Sequence, residues 1–176
     1  MAKRRRLFLV LFAIIVSVAC DQVTKWMADS YLPKKKSLSF AADTLRFDFA
    51  VNKGGILSFE EALPDKWQGP TFTAAVASFV VALIVFLLLV RAFNSFSTTA
   101  LSFFCGGSLS NLYDRITAGS VVDFLNVGWG AYRTSIFNVA DVAIIAGLFL
   151  FIFSTLSKVL SLAFRTRRRP ARIDDC

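Results

Sequence analysis

Residues 71–90, TFTAAVASFVVALIVFLLLV, pass twenty positions without one charged side chain. Such a run belongs either in the interior of a large soluble core or in the hydrocarbon of a bilayer. In lipid the backbone must satisfy its own N–H and C=O groups, which makes the run a helix. At about 1.5 Å per residue it reaches about 30 Å, the thickness of a bilayer core. Composition selects the bilayer. Of 176 residues, 56% are hydrophobic and 18% charged, and the mean hydropathy is +0.60, whereas a soluble domain carries about 25% charged residues. The length leaves room for one domain of several spans.

Three more segments fit the same reading. Residues 7–28 begin LFLVLFAIIVSVACDQVTKW behind Lys3, Arg4, Arg5 and Arg6, and with Ser17-Val18-Ala19-Cys20 they have the parts of a bacterial lipoprotein signal peptide. The residues after the cysteine argue against cleavage: Val23, Trp26 and Met27 keep helical spacing where a lipoprotein would have a polar linker. The helix is therefore expected to continue past Cys20 as a retained span. Residues 98–113 carry Ser102, Gly106, Gly107, Ser108 and Ser110, small residues that allow close helix approach and a central position. Residues 137–160 open polar and turn apolar after Asp141.

Four spans bring both termini to one side. Lys3 to Arg6 and the basic tail 165–176, with Arg165, Arg167, Arg168, Arg169 and Arg172, place that side in the cytoplasm. Lys34, Lys35 and Lys36 on the first connection run against this bias, but long loops weigh less in the rule. Read this way, the terminal charges are topology signals rather than a nucleic-acid surface.

The first connection, residues 33–70, has structure of its own. Leu45, Phe47 and Phe49 alternate with Arg46 and Asp48, the period of a half-buried strand; Lys53-Gly54-Gly55 breaks it, and Ile56-Leu57-Ser58-Phe59 comes next. The expectation is a small extracytoplasmic β-sheet cradle over about 37–59, then a surface segment at 60–70.

The chain has no histidine, which removes Ser-His-Asp and Cys-His catalysis and histidine-containing metal sites. Cys20, Cys105 and Cys176 fall in different segments, too dispersed for a disulfide framework or a metal cluster. Chemistry must then come from polar groups at membrane depth, where ionisable residues are costly. Asn111, Asp114 and Arg115 lie at i, i+3 and i+4 near the outer end of the third segment, and Asn138 and Asp141 at i and i+3 in the fourth. Between them Asp123 is flanked by Val121, Val122, Phe124 and Leu125. Two carboxylates in a dry pocket share a proton, so that one activates water while the other polarises a carbonyl. The residues leave two alternatives open. Asp123 and Asp141 can instead satisfy helix ends or pair with Arg115 or Arg133, and Ser58 with Lys25 or Lys53 can form a Ser-Lys pair.

At these residues the chain resembles the lipoprotein signal peptidase (signal peptidase II) family. The resemblance rests on DQVTK (Asp21 to Lys25), NKGGILSF (Asn52 to Phe59), GGSLSNLYDR (Gly106 to Arg115), GSVVDF (Gly119 to Phe124) and FNVAD (Phe137 to Asp141), in the family's order and spacing. It implies an α-helical polytopic membrane protein, a four-transmembrane-helix bundle with an outer sheet cradle. It also implies that Asp123 and Asp141 are catalytic, and that Asp21, Lys25, Asn52, Gly54, Asn111, Asp114, Arg115, Asn138 and Ala140 shape the site or hold substrate. The implied reaction is hydrolysis of the bond before the diacylglyceryl-modified cysteine of a prolipoprotein, without metal or organic cofactor. A monomer in the bacterial inner membrane, in contact with phospholipid and with its site near the outer leaflet, completes the expectation. Two departures, Ile56-Leu57 before Ser58 and Ser110 where the family has glycine, touch the substrate groove rather than the carboxylate pair. The rival classes are a non-catalytic polytopic protein, such as a small transporter with structural aspartates, and a lipoprotein precursor.

Overall fold

The computed structural model describes residues 3–52, 65–90 and 93–167. In chain order these form α1 (Lys3–Tyr31), β1 (Leu38–Phe40), β2 (Leu45–Asn52), α2 (Asp65–Leu89), α3 (Ser95–Ala118), β3 (Val121–Trp129), β4 (Tyr132–Arg133) and α4 (Val139–Arg167). α1 does not stop at Cys20 but runs on to Tyr31, because the residues after the cysteine still have a face to bury: Asp21, Lys25 and Ala28 continue the buried stripe of Arg6, Val10, Ala13 and Ser17. Gly54, Lys53 and Ile56 to Phe59 lie outside the described residues, as does the tail beyond Arg167.

α3 is the centre, packed against α4, α1 and α2. Its ends are well defined. Asn94 is the N-cap and accepts from the Ser97 N–H at 2.7 Å, while Gly119, at φ 67°, turns the chain out of the helix and donates to the Arg115 carbonyl. Its polar residues Ser97, Thr98, Ser102, Ser110 and Asn111 are buried, which a helix surrounded by other helices permits and a lipid-facing one does not. The small residues are what let its neighbours in. A methyl at Gly106 would meet Ser17 of α1, and one at Gly107 would overlap the Ala140 carbonyl of α4; Gly147 of α4 lies equally tight on Ala100 of α3. Gly107→Ala should therefore push α4 from α3 and cost about 1–3 kcal/mol. Thermal unfolding in detergent checks this, and an unchanged midpoint would mean that the contact is slack.

The apolar core of the bundle is Leu87, Leu101 and Cys105, with Ile14, Leu83, Phe93 and Phe151 packed around it. Cys105 serves there as a small apolar residue. At one end of the bundle the buried Arg6 donates to the Leu87 carbonyl in the last turn of α2, where positive charge complements the helix dipole. Outward faces are apolar: Phe8, Leu11, Phe12 and Ile15 on α1, Phe79, Val81 and Val85 on α2, and Ile145, Phe149, Ile152 and Leu156 on α4 are exposed. An exposed apolar surface of this extent marks a molecule whose outer solvent is lipid or another protein. Among the described residues, Lys3–Tyr31 and Val139–Ser161 are long and apolar enough to cross a membrane, with mean hydropathies of 2.2 and 2.3, and Thr73–Leu89 forms a shorter apolar helix.

The sheet corrects one expectation. Its four antiparallel strands run in the order β1-β2-β3-β4, so half of it comes from residues 121–133, between α3 and α4, and not from the first connection alone. A bulge between Phe47 and Ala50 re-sets the register of β2 so that Ala50 faces Asp123 and Asn52 faces Val121. The β1–β2 turn holds Ala41, Ala42 and Asp43 at φ 52°, 52° and 67°, a left-handed run that non-glycine residues enter only under constraint. Asp43 supplies it. Its carboxylate takes a two-pronged bond from Arg46, both arms 2.6 Å, which holds the carboxyl well below its ordinary range, and its carbonyl takes Arg133 Nη1 at 2.7 Å.

Candidate active site

Five elements meet at one end of α3, and each supplies polar groups there. α1 brings Asp21, Gln22 and Lys25; α3 brings Ser110, Asn111 and Asp114; β2 brings Asn52; β3 brings Asp123; and the start of α4 brings Asn138, Ala140 and Asp141. Asp21 and Lys25, at i and i+4, form an ion pair of 2.6 Å with almost no exposure, and Asp114 closes a second one, also 2.6 Å. The third N–H of the ammonium goes to Asn111 Oδ1 at 2.8 Å. All three donors of Lys25 are thereby engaged within the cluster. Ser58 and Lys53 fall outside the described residues.

Once the ammonium faces Asn111 Oδ1, the Asn111 amide must point the other way, and Nδ2 donates to Asp141 Oδ1 at 2.9 Å. Asn138 is fixed by the same logic. It precedes the first residue of α4, and its Oδ1 accepts the Asp141 N–H at 3.0 Å while Asp141 Oδ2 accepts the Asn138 N–H at 3.1 Å. This reciprocal arrangement is a capping box. It leaves Asn138 Nδ2 to donate to Asp123 Oδ1 at 2.6 Å and to Asn111 Oδ1 at 3.2 Å. Asn52 Nδ2 donates to the other Asp123 oxygen at 3.1 Å. Asn138 thus touches both carboxyl-bearing residues, and every carboxylate oxygen of Asp123 and Asp141 receives an N–H.

The two carboxyls differ in setting. Asp123 is nearly buried on β3, and desolvation raises its carboxyl above the ordinary range; the Asn52 and Asn138 amides pull it down, Asp141 pushes it up and Lys25 pulls it down. Asp141 sits in the first turn of α4, where the helix dipole favours negative charge. Asp21 grips the same helix end: its Oδ1 accepts the Ala140 N–H at 2.7 Å.

Of the residues singled out from sequence, Asp21, Lys25, Asn52, Asn111, Asp114, Asp123, Asn138, Ala140 and Asp141 fall into this one network. Arg115 stands in the last turn of α3, and Gly54 lies outside the described residues. Arg133, an alternative partner for the aspartates, binds Asp43 and Asn126 instead. Gln22 and Ser110 are members of the cluster that sequence reasoning misses; the one available signal is that Gln22 lies beside Asp21 within a buried ion-pair motif. Ser110, expected in the substrate groove, is fully buried and donates to Asp21 Oδ2 at 2.8 Å. An apolar cavity of about 230 Å³ opens between Met27 and Tyr31 near the end of α1, Leu32 just beyond it, and Phe47 and Phe124 of the sheet.

Apolar outer faces around a carboxylate cluster are features of a membrane protein. Two solved structures described as bacterial membrane enzymes share the fold: one superposes with a TM-score of 0.74 at 24% identity over 94% of each chain, the other at 0.72 and 27% over 84% of this chain and 92% of that one. The family model for signal peptidase (SPase) II matches residues 13–157. The chain belongs to the signal peptidase II family of proteases. Relatives named lipoprotein signal peptidase include those of Nitratidesulfovibrio vulgaris, 34% identical over 82% of this chain and 86% of the relative, and Syntrophotalea carbinolica, 36% identical over 80% and 85%. That of Acinetobacter baumannii is 30% identical over 91% of this chain and 86% of its own.

Proposed function

We propose that this protein removes the signal peptide from diacylglyceryl-modified prolipoproteins as an aspartic endopeptidase, with Asp123 and Asp141 as the catalytic pair. The observation that carries this reading is the bridging of the buried Asp123 and of Asp141 by Asn138, in a chain without histidine. One proton is shared. The buried Asp123 is the better place for it, and Asp141 acts as the base. A water between them loses a proton to Asp141 and attacks the carbonyl carbon before the lipidated cysteine. Asp123 donates a hydrogen bond to the carbonyl oxygen as it becomes an oxyanion. When the tetrahedral centre collapses, the C–N bond breaks and the departing cysteine amine takes the proton held by Asp141. No step requires a metal or an organic cofactor.

All four helices serve as spans in this proposal. α2 and α3, with 25 and 24 residues, measure about 37 and 36 Å, and α3 tolerates its polar residues because its neighbours shield them from lipid. Both termini are cytoplasmic, and the cluster, with the sheet, lies at the outer leaflet of the bacterial membrane. The apolar cavity between the end of α1 and the sheet suits the hydrophobic part of a substrate. The test is cleavage by purified enzyme of one precursor in two forms, with and without diacylglycerol on its cysteine. Cleavage of the lipidated form alone is expected, and equal cleavage of both would remove lipid recognition from the proposal.

Asn52 offers a check on the proton's location. Its amide stabilises the charged form of Asp123, so Asn52→Ala makes that carboxyl hold its proton to higher pH. The alkaline limb of kcat/KM against pH should move upward by up to about one unit. A limb that stays put or moves down would assign the titrating proton elsewhere.

A further inference from the structure

The geometry points to Gln22 as a positioning residue for the proposed catalytic pair, acting through Asp114 and Lys25. This inference rests on the reading of Asp123 and Asp141 given above. Gln22 makes no bond to either aspartate. Its Nε2 donates to Asp114 Oδ1 at 2.8 Å and to Ser110 Oγ at 3.0 Å, which uses both of its N–H groups. Ser110 Oγ in turn donates to Asp21 Oδ2 at 2.8 Å. One amide thus reaches both carboxylates that grip the Lys25 ammonium, one directly and one through a hydroxyl, across the α1–α3 contact.

The consequence runs from Gln22 toward the pair in three steps. Asp114 presents Oδ1 to Gln22 and Oδ2 to Lys25, so the Gln22 bond sets the angle at which the carboxylate meets the ammonium. Lys25, held by Asp21 and Asp114, directs its third N–H to Asn111 Oδ1. That bond decides which end of the Asn111 amide faces Asp141. If Asn111 reverses, a carbonyl oxygen replaces an N–H donor against the Asp141 carboxylate, and attraction becomes repulsion. The charged groups joined in this chain of bonds are Asp21 and Lys25 on α1, Asp114 on α3, and Asp123 and Asp141 at its far end. Ser110 of α3 supplies the hydroxyl that links the Gln22 amide to Asp21.

Two substitutions read the effect. Gln22→Met keeps volume and loses both donors; it should lower kcat about tenfold, the scale of one hydrogen bond to a charged group, while KM stays within about twofold because the side chain faces no substrate. Gln22→Glu keeps shape. Ionised, it sets a carboxylate against Asp114; protonated, it regains one donor, so its activity relative to wild type should recover as pH falls from neutral toward about 5. Both are assayed on the lipidated precursor in detergent or vesicles, with the melting midpoint recorded and with Asp123→Asn and Asp141→Asn alongside. If Gln22→Met fails to fold, the acid recovery of Gln22→Glu still decides. Wild-type kcat in Gln22→Met, or a loss in Gln22→Glu that is independent of pH or falls on KM, overturns the positioning role while inactive aspartate variants leave the catalytic reading standing. Full activity in the aspartate variants removes that reading, and this inference with it.

Discussion

Asp123→Asn and Asp141→Asn should each reduce cleavage of a lipidated precursor by about four orders of magnitude while leaving the protein folded, and the double variant should be no worse than either single one. The hydrogen bonds explain why folding survives. Asp141 accepts from Asn111 Nδ2 on one oxygen and the Asn138 N–H on the other, and Asp123 accepts from Asn138 and Asn52 in the same way. An asparagine keeps one acceptor and loses one, a cost of about 1 kcal/mol. What neither variant retains is the exchange of one proton between two carboxyls. Asp48→Asn, on β2 and outside the network, should cleave at nearly the wild-type rate. Substantial turnover in Asp141→Asn, in enzyme free of wild type, would make the pair structural.

Lys25→Met carries the largest expected effect on stability. Removing the ammonium leaves Asp21, with no exposure, and Asp114 without their common counter-ion, and stripping one partner from a buried ion pair costs about 3–5 kcal/mol. The melting midpoint should fall by about ten degrees. Activity should fall as well in whatever fraction folds, because Asn111 loses the bond that orients its amide. Lys25→Met combined with Asp114→Leu should regain part of the stability, since one uncompensated carboxylate has gone. A midpoint within a degree or two of wild type in the single variant would mean that these carboxylates are protonated or hydrated, and that the ion-pair account is wrong.

The helices are legible because each carries a local sequence pattern of its own. The uncharged run 71–90 lies in α2, and the small-residue stretch 98–113 in the buried α3. α1's passage through Cys20 is written in Val23, Trp26 and Met27, which keep helical spacing and are exposed on its outer face. Asp123 and Asp141 stand out as ionisable groups amid apolar neighbours. β3 does not stand out as a strand, and its burial shows why: Val121, Asp123, Phe124 and Asn126 are all buried, so the strand is covered on both faces and no alternation reaches the sequence. Its pairing with β2 joins residues far apart in the chain, which local periodicity does not register. The orientation of Asn111 and Asn138 is beyond reach for another reason. An amide has two near-equivalent orientations, and only the surrounding donors choose between them.

A helix end is ordinarily where a protein loosens first, its opening amides having no partner of their own. The start of α4 is fastened otherwise. The Ala140 amide is held by Asp21 from another helix, and the Asp141 amide by Asn138, whose own side chain is anchored to β3. The groups that suppress fraying are the same groups that set the two carboxyls. Melting of this turn would therefore release contacts of both aspartates at once. Its rigidity is that of the secondary structure it begins.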